Sequence, residues 1–156
     1  MKSVRSVATT TLSLFFCLMI GACAGGKTPV NIGINNGKLA DCPASPNCVS
    51  SDASDADHYV EPIPLTGSAE EDWLRAQKLV AELPRTKIIT VDNNYLHAEC
   101  RSAVFGFVDD LELHLRPQER IIAVRSAARL GYSDFGVNRK RVEELRTRFL
   151  QQRQDD

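Results

Sequence analysis

Residues 95–115 read YLHAECRSAVFGFVDDLELHL, and the alternation of apolar and polar side chains in this stretch decides the fold. Such alternation has the two-residue period of a strand that buries one face. With Phe105-Gly106 as a two-residue turn, the stretch forms an antiparallel hairpin, because a slip of one residue would mix the two faces. The apolar face then contains the facing pairs Leu96–Leu115, Ala98–Leu113 and Cys100–Leu111.

The polar face of this hairpin has two interpretations. It contains the facing pairs His97–His114, Glu99–Glu112 and Arg101–Asp110. Facing glutamates repel unless a cation lies near, so His97, Glu99, Glu112 and His114 could form a metal site. Facing strand positions usually lack the convergence and the supporting contacts of a tight site. We therefore favour a solvated charged face, with Arg or Lys side chains of neighbouring strands between the carboxylates, and we expect no cofactor.

The flanking sequence predicts a helix on each side of a four-stranded meander. Residues 68–71 read SAEE, a capping box, and apolar residues then recur at helical spacing as far as Pro84. Asn138 is predicted to cap a last helix, and residues 39–64 look mostly irregular. The order helix, four-stranded antiparallel β-meander, C-terminal helix predicts an α+β fold. The predicted strands are Lys87–Val91, Tyr95–Val104, Phe107–Leu115 and Arg120–Ser126.

The N-terminus has the layout of an export signal. Lys2 and Arg5 precede an apolar run at 12–20, which is shorter than the about 20 residues that span a bilayer. Residues 20–23 read IGAC and resemble the bacterial lipobox, whose cysteine receives diacylglycerol. We predict a signal peptide over residues 1–22 and lipidation at Cys23, so that the membrane is a partner through the lipid. Ala24 favours the outer membrane over the inner membrane, with the domain in the periplasm.

The remaining chain is predicted to form one domain. Residues 23–38 are rich in Gly and Asn and read as a flexible tether, residues 39–150 are long enough for a single core, and residues 151–156 form a fraying tail. The formal net charge is −1, and removal of the signal makes it more negative. A nucleic-acid partner is excluded, because it would require a strong basic excess.

Three cysteines remain after Cys17 is removed and Cys23 is acylated, and they lie in an oxidising compartment. Residues 42–48 read CPASPNC, a tight proline-shaped loop that favours a disulfide between Cys42 and Cys48. Reduced thiols, or a link to Cys100, are the alternatives. The absence of a CxxC motif argues against a metal at these cysteines.

The stretch VRSAARLGYSDFGVNRKR at 124–141 is the strongest candidate for function, because much of it is loop and it is dense in polar groups. Cations in the first turn of a helix interact unfavourably with the helix dipole. A bound anion or nearby acidic side chains would offset this unfavourable interaction. We favour a buried network that joins Asp109 and Asp110 to Arg125, Arg129 or Arg139. A site for a small anionic ligand, or catalysis with Asp109 or Asp110 as base and Tyr132 as acid, are the alternatives. The candidate ligand-binding residues are Asp109, Asp110, Arg125, Ser126, Arg129, Tyr132, Asp134, Asn138 and Arg139.

Three segments resemble a bacterial and plastid family, domain of unknown function family 1499. They are residues 42–51, 102–112 and 124–141, and the likeness extends from about Leu39 to Leu150. The family has no established activity, so the resemblance implies a fold and no mechanism. We therefore expect a membrane-tethered binding or envelope-accessory domain and not an enzyme. The rivals are a cofactor-independent enzyme that uses the Asp/Arg/Tyr/Asn cluster, and a structural lipoprotein that recruits an envelope protein.

Overall fold

The structure is a computed structural model that describes Pro29 and residues 31–152. The predicted signal peptide (1–22), Cys23 and residues 153–156 of the predicted tail lie outside the described residues. In chain order the elements are β1 (Ile34–Asn35), β2 (Lys38–Leu39), β3 (Cys48–Ser50), β4 (Ile63–Pro64), α1 (Ala69–Ala81), β5 (Thr86–Val91), β6 (Tyr95–Arg101), β7 (Val108–Arg116), β8 (Ile121–Ala128) and α2 (Val137–Gln151).

One antiparallel sheet of six strands forms the centre of the fold. Its order is β3-β8-β7-β6-β5, and β4 also pairs with β8. The predicted α+β class is confirmed, and β5 to β8 are the predicted meander. The sheet is larger than predicted because β3 and β4 join β8 from the stretch that looked irregular. These strands are two or three residues long, too short to show a periodic pattern in the sequence.

Both helices pack on the same face of the sheet and close the core. α1 begins where predicted, because the Ser68 side chain accepts a hydrogen bond from the Glu71 backbone N–H. Each fully buried Leu or Phe side chain contributes about 1.5–3 kcal/mol. The core residues include Trp73, Ala76, Leu79 and Val80 of α1, Leu96, Ala98, Leu111 and Leu113 of the sheet, and Val142, Leu145 and Phe149 of α2.

The predicted register of the central hairpin is wrong by two residues. Leu96 faces Leu113, and His97 faces Glu112. The connection is not a two-residue turn: it runs from Ser102 to Phe107, where Ser102 N–H donates to the Phe107 carbonyl. Because two residues are one full period of a strand, every side chain stays on its predicted face while its cross-strand neighbour changes.

A second, two-stranded sheet lies at the start of the described chain. β1 and β2 form a hairpin with Asn36 and Gly37 at positive φ in the turn, where we predicted the end of a flexible tether. Gly33 N–H donates to a carboxylate oxygen of Glu112 at 2.6 Å, and β2 contacts β7 and β8. The hairpin therefore lies on the sheet face opposite to the helices. Over residues 31–152, no helix combines the length and the apolar character needed to cross a bilayer.

Candidate functional site

The sheet divides the predicted site residues between its two faces. Side chains alternate along a strand, so Asp109 and Asp110 point in opposite directions, as do Arg125 and Ser126. Two clusters result. The helix-face cluster contains Asp109, Ser126, Asp134, Asn138 and Arg141. The opposite-face cluster contains His97, Glu99, Asp110, Glu112, Arg125 and Arg129.

Arg129 joins two carboxylates in the opposite-face cluster. It donates two hydrogen bonds to Asp110, at 2.9 and 2.7 Å, and one to Glu99 at 2.7 Å. His97 Nε2 lies 2.7 Å from the same Asp110. Burial by itself would raise the pKa of Asp110, but the hydrogen bonds from Arg129 and His97 hold it below its usual value. Glu99 and Asp110 face each other across the strands, and Arg129 relieves their repulsion.

Glu112 is the most deeply placed charge of this cluster, with 0% of its surface exposed. It accepts hydrogen bonds from Arg125 at 2.8 Å, from the Tyr95 hydroxyl at 2.8 Å and from Gly33 N–H at 2.6 Å. Burial and the neighbouring Glu112 raise the pKa of Tyr95. The solvated face predicted from the sequence is therefore wrong. The sequence predicted an arginine or lysine between facing carboxylates, and Arg129 has this position between Glu99 and Asp110. The alternation along one hairpin does not indicate which other segments cover its polar face.

The four residues of the metal hypothesis have separate partners. His97 contacts Asp110, Glu99 contacts Arg129, Glu112 contacts Arg125, and Nδ1 of His114 accepts a hydrogen bond from Arg116 at 3.1 Å. Within the part of the chain that the structure describes, no three His, Cys, Asp or Glu residues converge as a metal site. The register explains the separation, since His97 faces Glu112 instead of His114.

Asp52 and Arg116 form another buried pair, which the sequence did not indicate. Arg116 donates to both carboxylate oxygens of Asp52, and Leu39 N–H donates to the same carboxylate. Burial opposes ionisation of Asp52, but the Arg116 hydrogen bond holds its pKa below the usual value. Burial and the adjacent Arg116 lower the pKa of His114. The pair fixes the segment after β3 to the far end of β7.

On the helix face, Arg141 is the partner of Asp109. Its guanidinium donates to Asp109 at 2.7 Å, to the Ser126 hydroxyl at 3.0 Å and to the Asn138 side-chain oxygen at 2.5 Å. Burial raises the pKa of Asp109, and Arg141 offsets only part of that effect. The network that we predicted for Asp109 exists with a different arginine, because Arg141 comes from α2 and Arg125 points to the other face.

The start of α2 corrects the predicted cap. Gly136, with φ 76°, is the N-cap, and Asn138 lies inside the first turn. The Asp134 carboxylate accepts hydrogen bonds from the backbone N–H groups of Gly136 at 3.0 Å and Asn138 at 2.8 Å. This carboxylate supplies the negative charge that a helix N-terminus favours. Arg139 donates to the carbonyls of Tyr59 and Asp57, both at 2.7 Å.

The cysteine loop lies at the same end of the sheet. Cys42 and Cys48 are joined by a disulfide with a Cα–Cα distance of 5.6 Å, which fits the favoured pairing. Asn47 connects the loop to the segment after β8, because its side chain donates to the Gly131 carbonyl and its carbonyl accepts from Ala128 N–H. Cys100 is a buried free thiol, and burial raises its pKa.

A group of exposed apolar side chains at one end of the sheet was missed by the sequence reasoning. The β6–β7 loop and the segment between β8 and α2 both leave the sheet at this end, since β6 and β8 run in the same direction. Among the described residues, twelve large apolar side chains are exposed, and seven lie here. We name these seven residues the apolar loop end: Val104, Phe105, Phe107, Leu130, Tyr132, Phe135 and Val137.

The backbone conformation of Phe135 keeps its side chain exposed to solvent. Phe135 is 97% exposed and has φ 55°, a left-handed conformation that bulky residues rarely adopt. The adjacent Asp134 and Gly136 hold the turn in place through the hydrogen bond at 3.0 Å. Unfavourable backbone conformations persist where the surrounding structure imposes them, and they are concentrated at functional segments. Tyr132, a predicted site residue, is 76% exposed in the same loop.

A cationic cleft of about 350 Å³ borders the apolar loop end. Its walls come from the turn before β5, the end of β6 and the first turns of α2. The cations that line the cleft are Arg85, Arg101, Lys140 and Arg141, and the carboxylates are Asp109 and Glu144. Arg141 is paired with Asp109. In the described part of the chain, neither Arg85 nor Lys140 has an ion-pair partner.

Together these features define a small α+β domain with internal ion pairs on both faces of its sheet and an apolar, cation-bordered end. A family model described as "Protein of unknown function (DUF1499)" matches residues 38–149, so the chain belongs to this family and the resemblance is confirmed. Comparisons with curated proteins and with solved structures gave no match. The family has no established activity, so the geometry of the domain is the basis for a proposed function.

Proposed function

We propose that this chain is a lipid-anchored accessory domain of the bacterial envelope, which binds its partner through the apolar loop end. In this proposal residues 1–22 are removed as a signal peptide, Cys23 carries the lipid, and residues up to about 31 connect it to the domain. The domain lies in the periplasm, and Ala24 favours the outer membrane. The binding role replaces the candidate polar site as the functional centre.

The observation that supports the proposal is the concentration of exposed apolar side chains at one end. Single exposed apolar residues are normal, but a contiguous apolar patch marks an interaction site. Here Phe105, Tyr132 and Phe135 lie on two adjacent loops, and their outward position is costly in water. Aromatic side chains are also enriched in binding surfaces, because they bury a large area with few rotatable bonds.

The charged clusters give less support to catalysis or to an anionic ligand. A general base needs a reactive proton within hydrogen-bond reach, but Asp110 is held by Arg129 and His97, and Asp109 by Arg141. Tyr132, the proposed acid, lies in the exposed loop. These arginines make several hydrogen bonds each with internal partners, as structural residues do.

Site-specific photo-crosslinking in bacterial cells tests this proposal. A photoreactive amino acid replaces Phe105 or Phe135 in the full-length chain, and Leu74 serves as the matched control. Leu74 is 60% exposed and lines a cleft beside the β5–β6 turn, at the opposite end of the sheet. We expect lipid or protein adducts from positions 105 and 135 and none from position 74. Equal adduct formation at all three positions, or none, contradicts the proposal.

A further inference from the structure

We infer that the apolar loop end binds the surface of an anionic lipid bilayer. The aromatic side chains enter the interfacial region, and the cationic cleft takes a lipid phosphate. This inference rests on the proposed function, since it names the partner of the same surface.

The side chains at this end have the character of interfacial residues. Phe105, Phe107 and Phe135 offer apolar rings, and Tyr132 combines a ring with a polar hydroxyl. Aromatic residues of these kinds favour the boundary between headgroups and acyl chains. The rings of Phe105 and Phe107 lie 5.7 Å apart on one loop, and Tyr132 and Phe135 are exposed on the other. A fluid interface accommodates the exposed side chains of two loops without a matching shape, whereas a protein partner would have to match them.

The charge beside the apolar residues is suited to lipid phosphate. Arg85 and Lys140 are exposed at the cleft, and Ser102 and Val137 of the two apolar loops contribute to its walls. A headgroup phosphate in this cleft would therefore lie next to the inserted side chains. Cations near an anionic membrane surface each add to the affinity. Glu144 also lines the cleft and is exposed. Its one negative charge is smaller than the two positive charges of Arg85 and Lys140, so the exposed charge of the cleft is net positive.

The tether places the loop end within reach of the bilayer that holds the lipid. Gly33 is fixed beside Glu112, four residues along β7 from Val108 at the loop end. Those four residues span about 13 Å. The ten residues from Cys23 to Gly33 reach at most about 33–36 Å when extended. Lipid at Cys23 and side chains at the loop end can therefore occupy one bilayer. Because the anchor makes the second contact intramolecular, a weak affinity is sufficient.

Tryptophan quenching in vesicles tests the inference. The mature lipidated protein carries Phe135→Trp or, as control, Leu74→Trp, and is incorporated into phosphatidylglycerol vesicles with spin-labelled acyl chains. Trp73 is buried and gives the same background in both variants. We expect strong quenching of the Trp at 135 and little at 74. Substituting Arg85→Ala and Lys140→Ala together should weaken the quenching, because each cation contributes about fivefold in affinity to an anionic surface.

Three outcomes overturn the inference. Equal quenching at the two positions shows that the anchor alone brings the domain near lipid. An absence of quenching, with crosslinks at Phe105 to protein only, assigns the end to a protein partner and leaves the proposed binding surface intact. Quenching of the Trp at 135 that is lost on dilution of the protein at constant lipid indicates a second copy. If the chain fails to incorporate into vesicles at all, the proposed anchor itself is wrong.

Discussion

Replacement of Arg125 by Met should destabilise the domain by about 3–5 kcal/mol, because it leaves the Glu112 carboxylate buried without its cation. Glu112 is 0% exposed and Arg125 is 2% exposed, and their side chains are 2.8 Å apart. Met has a similar length and apolar stem, so the packing of the side chain changes little. The remaining hydrogen bonds from Tyr95 and Gly33 do not neutralise the carboxylate.

A double-mutant cycle separates the charge from the packing. Glu112→Gln alone leaves a buried guanidinium without its carboxylate, whereas Glu112→Gln with Arg125→Met removes both charges. Gln keeps an oxygen that can accept from Tyr95 and Gly33. The double variant should therefore recover about 2–3 kcal/mol relative to the sum of the single variants. Arg101→Met is the matched control. Arg101 is paired with Glu99 at 3.1 Å but is half exposed, so its loss should cost less than about 1 kcal/mol.

Urea unfolding of the purified variants gives these free energies. With a slope of about 2 kcal/mol per molar urea, Arg125→Met should lower the midpoint by about 1.5–2.5 M without a change of slope. If Arg125→Met and Arg101→Met shift the midpoint equally, Glu112 is hydrated in the folded protein. The buried-network account of the opposite-face cluster would then be refuted.

Further substitutions test the loop end, the disulfide, the anchor and the pH response. Phe135→Asn should leave the fold as stable or up to about 1 kcal/mol more stable in urea unfolding, because Asn tolerates a left-handed φ; a large destabilisation would mean that the ring is packed. Serine at both Cys42 and Cys48 should cost about 2 kcal/mol by the same assay, and peptide mapping of the wild type should find the two cysteines linked. Cys23→Ser should move the protein from the membrane to the soluble fraction, and retention would remove the anchor from the proposal. His114 has a lowered pKa in the fold, so its contribution is complete above its ordinary pKa of 6.5 and declines as the pH falls towards the folded pKa; His114→Gln should make the melting temperature depend less on pH below about pH 6.5, and an unchanged pH profile would contradict this.

The faces of the sheet were predictable, but the register was not. Alternation from Leu96 to Leu115 assigns every side chain to a face, and any shift by an even number of residues preserves that assignment. The register depends on the length of the loop, and Phe105-Gly106 suggested a turn shorter than the one that forms from Ser102 to Phe107. The exchange of His97–His114 for His97–Glu112 follows from this difference alone.

The pair of Asp110 with Arg129 was among the predicted ion pairs, whereas the pair of Asp109 with Arg141 was not. Opposite charges on neighbouring strands predict that Asp109 and Asp110 have cationic partners. The choice of Arg141 for Asp109 depends on how α2 crosses the sheet, which local patterns do not contain. The burial of Glu112 depends on Gly33, at a separation of 79 residues, so the charged face looked solvated from the sequence.

The apolar loop end was missed because its residues were assigned to strands or to a polar loop. The alternation predicts strands that end at Val104 and begin at Phe107, and the charges of the segment after β8 predict a polar loop. The signal was present in the glycines Gly106, Gly131 and Gly136, all at positive φ, each next to apolar residues. Apolar residues beside such glycines do not continue the two-residue period of a strand. They are therefore better interpreted as exposed loop residues than as the ends of strands.

Hydrogen–deuterium exchange most directly tests whether the loop end, and not the charged clusters, meets the partner. The measurement compares wild-type protein in the membrane with the Cys23→Ser protein released from it. We predict that the membrane-bound form gains protection at residues 102–107 and 130–137, with unchanged exchange around Asp110 and Glu112. Protection gained around Asp110 and Glu112, with none at the two loops, would contradict the account.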